Sequence, residues 1–369
     1  MENKIKEFLI NNIVPILMLV IIIVALPISK LSIDYLLQEI ILRLSRNLFL
    51  VLSLLIPIIA GMGLNFGIVL GAMAGQFALI MITEWGIVGM QGIGLAAIIS
   101  IPFAILMGIL GGTVLNRAKG REMITSMILG FFINGAYQLL LLYGMGKVVP
   151  MKNANILLSR GYGIRNAVDL KNIRKALDNA FVINIGKYAF PILTIAIIVL
   201  LCLFIIWFRK TKLGQDMRAI GQDMEVSGSI GINVDKTRLI AIIISTILAA
   251  FGQIVYLQNM GVLNTYNSHE QIGMFSIAAL LVGGATVSKA SISNALSGVV
   301  LFHAMFVLAP TAGKELLGSP EIGEYFRVFI SYGIVALVLI LHQWRREKEK
   351  KKERERIFKA QIRQGDEVK

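Results

Sequence analysis

Long apolar runs dominate this sequence and restrict what the chain can fold into. Runs of about 18 or more residues with few charges recur along the chain, and each is long enough to cross roughly 30 Å of hydrocarbon. Inside a bilayer, every backbone N–H and C=O group needs a partner within its own segment, so such runs form helices. The pattern therefore predicts an all-α integral membrane protein that crosses the bilayer many times.

The charged residues are too few to cover a soluble protein of this size. Asp, Glu, Lys and Arg make up 16% of the 369 residues, against roughly 25% in an average soluble domain. The net charge of +14 would suit a nucleic-acid-binding protein. However, the Lys and Arg residues lie between and beyond the apolar runs, where orientation signals belong. We therefore expect a membrane protein without a nucleic-acid partner.

The apolar runs predict ten membrane spans. The second and third spans are separated only by a glycine-rich segment at 61–67, and the eighth and ninth are broken at Gly283, Gly284 and Ser291. Non-helical backbone at membrane depth is tolerated only where protein or a water-filled path covers it. Both places are therefore candidates for broken or re-entrant helices. The predicted spans are 13–28, 47–61, 66–84, 92–115, 122–144, 189–208, 238–258, 271–286, 292–310 and 325–343.

The positive charges in the connections indicate the orientation of the chain. The connections 116–121 and 209–238 and the tail 345–369 are rich in Lys and Arg and fall on one side of the ten-span arrangement. The connections 259–270 and 311–324 fall on the other side and carry a single Lys between them. Because Lys and Arg concentrate in cytoplasmic loops, we expect both termini to be cytoplasmic, in a plasma or inner membrane.

The charge pattern also divides the chain into a transmembrane domain over 1–344 and a charged cytoplasmic tail over 345–369. One loop disagrees with the charge rule, since 146–188 carries eight Lys or Arg residues and yet falls on the extracytoplasmic side. Longer loops are less bound by that rule, so the assignment is kept. A short helix on the outer surface is expected over 168–180.

Motifs for ATP binding and catalysis are missing. The sequence has no Gly-x-x-x-x-Gly-Lys-Ser/Thr phosphate-binding loop and no His-Glu-x-x-His motif. Ionisable residues inside the spans are few and lie near span ends, namely Glu84, Glu122, Arg238 and Arg327. Ion-coupled carriers place such groups deeper in the membrane. We therefore expect a transport subunit that is not an enzyme and has no metal or cofactor, with an ion-coupled secondary transporter as the alternative.

Neutral polar residues within or beside the spans are the candidates for a solute pathway. Their hydroxyl and amide groups can exchange hydrogen bonds with a neutral polar solute, and they serve equally well as contacts between helices. Asn134 and Tyr137 lie three residues apart and so share a helix face. The candidate pathway residues are Asn65, Gln76, Asn134, Tyr137 and Gln253.

The predicted cytoplasmic connection 209–238 contains signals for a short helix over about 223–230. Gly221 ends a preceding turn, Asp223 can cap a helix start, and Glu225 favours its first turn. Gly231 can end the helix. A short cytoplasmic helix between long spans offers a contact surface for a partner protein, although a solvated connector has the same composition.

Three segments in order resemble a known family. The loop Arg-Ala-Ile-Gly at 218–221, with Glu225 and the Gly-Ile of 231–232, resembles the coupling loop of bacterial ABC permeases for simple sugars and nucleosides, a group that includes the ribose and branched-chain amino acid types. The glycine-rich segments 63–76 and 277–285 resemble two further segments of that family. Asp223 departs from the pattern, because the family often has Asn there.

The resemblance implies a fold like that of type II ABC importers, with two related halves. It implies ATPase subunits bound at the cytoplasmic face, a second permease that is identical or different, and an extracytoplasmic solute-binding protein. The imported solute would be a simple sugar, a nucleoside or a similar small molecule. The residues that the resemblance assigns to contact with the ATPase are Arg218, Gly221, Asp223, Glu225 and Gly231.

Overall fold

The computed structural model describes residues 12–319, 321–330, 332–337, 340 and 344. The predicted tail 345–369 and part of the tenth predicted span therefore lie outside the described residues. The helices are α1 Ile13–Ser29, α2 Ile33–Ser53, α3 Leu55–Ile59, α4 Ile68–Trp85, α5 Gly89–Arg117, α6 Glu122–Leu139 with a π-turn at Leu140–Gly144, α7 Ala176–Ala180, α8 Ile192–Phe208, α9 Lys212–Gln222, α10 Met224–Ser229, α11 Val234–Met260, α12 Ser268–Val282, α13 Ile292–Leu317, and α14 over 321–330 and 332–337. The strands are β1 Ala167–Asp169, β2 Val182–Ile185, β3 Tyr188–Pro191 and β4 Val262–Asn264.

Six helical segments of the described chain are long and apolar enough to cross a membrane, and a seventh results if α8 and α9, which meet at 74°, count as one span. The mostly helical architecture agrees with the predicted all-α membrane protein, while the count of ten spans and the two related halves stay predictions. α1 is apolar but only 17 residues long, and α12 has 15 residues. The six segments are Ile33–Ile59, Ile68–Trp85, Gly89–Arg117, Glu122–Gly144, Val234–Met260 and Ile292–Leu316.

Helix α2 begins at Ile33, well before the predicted start of the second span at residue 47. The hydroxyl of Ser32 accepts a hydrogen bond from the backbone N–H of Tyr35, 3.3 Å away, and so caps the helix. Within the helix, Arg43 and Glu39 form a salt bridge between successive turns, with Arg43 Nε 3.1 Å from Glu39 Oε2. The polar residues before position 47 therefore continue the helix instead of interrupting it.

The predicted outer helix over 168–180 is also wrong in its first part. Residues of β1 pair with β4 in an antiparallel ribbon in which Val168 faces Leu263, so their backbone groups are satisfied without a helix. Only α7 is helical in this stretch, and Lys175 in the left-handed region, with φ of 52°, precedes it. The ribbon joins the long loop 146–188 to the turn between α11 and α12.

Helix α11 lies at the centre of the molecule and packs closely against α4 and α5. A Cβ atom added at Gly71 or Gly75 on α4 would lie 2.3 or 2.4 Å from a carbonyl oxygen of α11. On α5, a Cβ atom added at Gly108 or Gly112 would lie 2.9 or 2.5 Å from atoms of the same helix. Both glycine pairs therefore permit close approach of helices, as expected for small residues four apart.

The breaks predicted near the eighth and ninth spans are confirmed. α12 ends at Val282 and α13 begins at Ile292, where Ser291 and Asn294 form a reciprocal capping box.

The described connections lie at two opposite ends of the helices. One end, called the α10 end below, contains α10 and the connections 116–121 and 209–238, which are joined by a salt bridge of 2.7 Å between Lys119 and Asp235. The other end, called the strand end below, contains the β1–β4 ribbon and the loop 146–188.

Candidate functional site

Three helices bring polar side chains together in the interior. Nδ1 of His269 on α12 lies 3.0 Å from Oε1 of Gln76 on α4, and Nε2 of the same ring lies 2.8 Å from Oδ1 of Asn134 on α6. Gln76 and His269 are fully buried, and Asn134 is 8% exposed. The side-chain amide of Gln138 donates to Oδ1 of Asn134 at 3.3 Å. The polar cluster, as the group is called below, consists of Gln76, Asn134, Tyr137, Gln138, His269 and Glu270.

The two amide groups are held so that their oxygens face the imidazole. The Gln76 amide N–H groups donate to the backbone carbonyls of Asn264 and Thr265, at 3.1 and 2.8 Å. The Asn134 amide N–H donates to the carboxylate of Glu270. A neutral imidazole has one N–H donor and can satisfy only one of two facing oxygens, according to its tautomer. The cluster can therefore redistribute its hydrogen bonds without a change in the fold.

Glu270 connects the polar cluster to a small cavity. The cavity has a volume of about 40 Å³ and borders Glu270, Phe66 and Phe131, which is room for about one water molecule. Within the described ranges, no group of three or more His, Cys, Asp or Glu residues could hold a metal ion.

Two tyrosines border the cluster in different ways. The Tyr137 ring meets the His269 ring edge-on, with centroids 5.4 Å apart, and its buried hydroxyl has no hydrogen-bond partner in the part of the chain that the structure describes. Tyr266 donates its hydroxyl to the carbonyl of Ile164 at 2.7 Å. Burial raises the pKa of Tyr266, so this donor is kept, and it fixes the loop that carries Thr265.

Two of the predicted pathway residues lie elsewhere. Oδ1 of Asn65 accepts a hydrogen bond from the N–H of Gly67 at 2.9 Å, which stabilises the turn into α4. Gln253 is fully buried on α11, and neither atom of its amide has a hydrogen-bond partner among the described residues. The structure thus brings together Gln76, Asn134 and Tyr137 and leaves these two outside the cluster.

Sequence reasoning missed His269 and Glu270. The sequence around His269 does not indicate its partners, because Gln76 is 193 residues away and Asn134 is 135 residues away along the chain. Both residues lie in the first turn of α12, immediately after the turn that follows β4. Adjacent imidazole and carboxylate groups at the start of an apolar helix were the available signal.

The short helix predicted at 223–230 is confirmed as α10. Oδ1 of Asp223 accepts hydrogen bonds from the N–H groups of Glu225 and Val226, both at 3.0 Å. Gly231 follows the helix with a φ of +92°, which a residue with a side chain rarely adopts. Gly221 differs from expectation, because it lies inside α9 instead of ending it.

The position of Gly221 is explained by a close contact at the α10 end. A Cβ atom there would lie 2.4 Å from the carbonyl oxygen of Ile59 at the end of α3. Arg218, Asp223 and Glu225 are exposed. Val226 and Ile230, one helical turn apart, are 56% and 69% exposed. The α9–α10 segment thus presents charged and apolar side chains together, a combination that suits a protein partner.

Comparison with known proteins identifies a family. Residues 36–340 match the family described as branched-chain amino acid transport system / permease component. The xylose transport system permease protein XylH of Haemophilus influenzae is 28% identical over 150 residues, which are 41% of this chain and 38% of XylH. The nucleoside ABC transporter permease proteins NupB and NupC of Lactococcus lactis are 26% identical over 259 and 147 residues, covering 67% and 40% of this chain and 64% and 44% of their own lengths.

The matched region spans less than two thirds of the length of each of these relatives. No solved structure matches the chain.

Proposed function

The chain belongs to the family of branched-chain amino acid transport permease components, and from that premise we propose that it forms the membrane pathway of an ABC importer for a small polar solute. ATP hydrolysis on a partner subunit would supply the energy. The relatives are named for xylose and nucleoside transport, and such solutes carry several hydroxyl or amide groups. The amides, imidazole and carboxylate of the polar cluster can hydrogen-bond to groups of that kind.

The observation that carries this proposal is the exposed α9–α10 segment at one end of a helical framework that holds buried polar groups. We assign ATPase contact to that segment, through Arg218, Gly221, Asp223, Glu225 and Gly231. The exposed Val226 and Ile230 add apolar area to the contact. In this assignment the α10 end faces the cytoplasm and the strand end faces the solute-binding protein.

A second permease completes the assembly. Two different nucleoside permease proteins of one Lactococcus strain resemble this chain, which supports pairing with a related but different subunit; pairing with an identical copy is the alternative. Closure of the ATPase subunits would move α10 as a rigid element, and the helices that it contacts would then change their packing. Such packed interfaces switch between discrete arrangements, which would expose the pathway to one side and then to the other.

The test is solute uptake by the complete complex in proteoliposomes, with ATP supplied on the α10 side. We expect uptake to require ATP and to persist when ionophores collapse both the proton and the sodium gradients. Replacing Met224–Ser229 by a Gly-Ser segment of equal length should abolish uptake and leave membrane insertion intact. Lys119→Met, which removes an exposed salt bridge at the same end, is the control. Uptake that continues after the replacement would disprove the coupling role, and uptake by the chain alone on an ion gradient would favour a secondary transporter.

A further inference from the structure

A buried ion pair joins α6 and α11 at the α10 end. Nη2 of Arg238 lies 2.5 Å from Oε1 of Glu122, and the two side chains are 0% and 10% exposed. Removing one partner of such a pair leaves an uncompensated buried charge, which is strongly destabilising. Charges within membrane segments are correspondingly rare and commonly have a functional reason. The pair therefore needs an explanation beyond helix packing.

The same arginine also contacts α10. Nη1 of Arg238 lies 3.3 Å from the sulfur of Met224, the first residue of α10. Asp223 caps α10 immediately before that methionine, so the position of Met224 is fixed relative to the rest of the short helix. Arg238 thus connects the exposed helix with the start of α6, because one guanidinium group touches both.

The buried face of α6 leads from this pair to the polar cluster. Glu122, Ser126, Gly130, Asn134 and Tyr137 are all buried and recur at intervals of three or four residues, which places them along one side of the helix. Asn134 and Tyr137 belong to the polar cluster. A shift of α6 along its axis would therefore move Glu122 and Asn134 together.

A second connection lies midway along this face. Ser126 Oγ accepts a hydrogen bond from the backbone N–H of Phe66 at 3.1 Å. Phe66 precedes α4, the helix that carries Gln76. Movement of α6 would therefore also act on the segment that leads into α4. Because His269 contacts Asn134 on α6 and Gln76 on α4, its two hydrogen bonds depend on the relative position of these two helices.

We propose that Glu122 and Arg238 are positioning residues that hold α10 in register with α6, so that displacement of α10 changes how Asn134 meets His269. The inference rests on the proposed function, because it explains how movement at the ATPase contact would reach the solute pathway. In this role the ion pair transmits movement of α10 to α6. Weakening the pair should let ATP hydrolysis continue while less solute is carried for each ATP.

The experiment measures ATP hydrolysed per solute transported by the complete complex in proteoliposomes. Glu122→Gln, which keeps the shape but removes the charge, should raise this ratio roughly tenfold, within the 5- to 150-fold range of typical coupling energies. Exchanging the charges, with Glu122→Arg and Arg238→Glu in one protein, should return the ratio most of the way to the wild-type value. Met224→Ala leaves the pair in place and should also raise the ratio.

The matched control is Lys119→Met. Lys119 and Asp235 form a salt bridge at the same end, but their side chains are 43% and 64% exposed, so its loss should leave the ratio unchanged. A wild-type ratio in both Glu122→Gln and Met224→Ala would overturn the inference and leave the proposed function standing. ATP-independent uptake by the wild-type complex would instead remove the proposed function itself. Gel filtration of each complex separates loss of folding from loss of coupling, and Met224→Ala decides the outcome if Glu122→Gln fails to fold.

Discussion

The two ends of the buried face of α6 hold polar groups in different ways. At its start, Glu122 has one strong partner of opposite charge, Arg238, almost completely shielded from water. Further along, Asn134 shares neutral and charged partners, and the nearby Tyr137 hydroxyl has none among the described residues. A buried ion pair fixes one geometry because every alternative leaves a charge unpaired. A network of amides and an imidazole can exchange partners at smaller cost, which suits contact with a passing solute.

The largest expected effect comes from breaking the ion pair at one partner. Arg238→Met leaves the Glu122 carboxylate buried without its cation, and the free energy of unfolding should fall by about 3–5 kcal/mol. The measurement is the unfolding midpoint of the purified protein in detergent.

The control for that prediction is the double variant with Glu122→Met and Arg238→Met. Apolar side chains of similar volume often replace a buried pair without loss, so the double variant should be clearly more stable than Arg238→Met alone. Equal stability of wild type and Arg238→Met would show that the charge is compensated by other groups.

A smaller loss of stability is expected from a substitution in the polar cluster. His269→Ala removes the shared partner of the Gln76 and Asn134 oxygens, and an unsatisfied buried group costs about 1–3 kcal/mol. Because we propose that the cluster contacts the solute, the KM for solute uptake should rise several-fold or more while the ATP requirement remains. The assay is the concentration dependence of uptake by the assembled complex.

His303 provides the matched control, since it is also buried but meets the rings of Phe302 and Phe306 edge-on, at centroid distances of 5.3 and 5.6 Å. His303→Phe should leave the KM nearly unchanged. If both histidine variants altered the KM equally, the polar cluster would have no special place in the pathway.

The smallest effect is expected at Asn65, which the sequence placed in the pathway. Asn65→Ala removes the hydrogen bond to the Gly67 N–H and should lower the free energy of unfolding by about 0.5–1.5 kcal/mol. Asn65→Asp keeps an acceptor oxygen and should lose less. Neither variant should change the KM for uptake, and a clear rise in KM for Asn65→Ala alone would return this residue to the pathway.

Local chemistry explains which features the sequence could predict. The limits of α10 follow from a cap at Asp223 and a positive φ at Gly231, both of which depend on neighbouring residues only. The glycine pairs on α4 and α5 depend equally on local spacing, since four residues along a helix place Gly71 and Gly75 on one face. The membrane class follows from the apolar runs.

Features that depend on distant partners could not be predicted. Nothing near His269 indicates that Gln76 and Asn134 face it, because those partners belong to other helices. The amides of Asn65 and Gln253 look the same in the sequence as that of Gln76, yet one closes a turn and the other is buried without a partner among the described residues. The sequence did not indicate that α2 begins at Ile33, because the charged residues of its first half suggested a connection. In the structure, Arg43 forms a salt bridge within the helix.

The β1–β4 ribbon has a consequence for how the protein is made. Its strands lie at 167–169 and 262–264, with α7 to α11 between them, so the first strand is synthesised long before its mate. The two can pair only if α11 delivers residue 262 to the same face of the bilayer as the earlier loop. A copy whose later helices had inserted in the opposite direction would leave both strands unpaired, with backbone groups open to pairing with other chains. The ribbon can therefore form only after α11 has crossed the bilayer in the right direction.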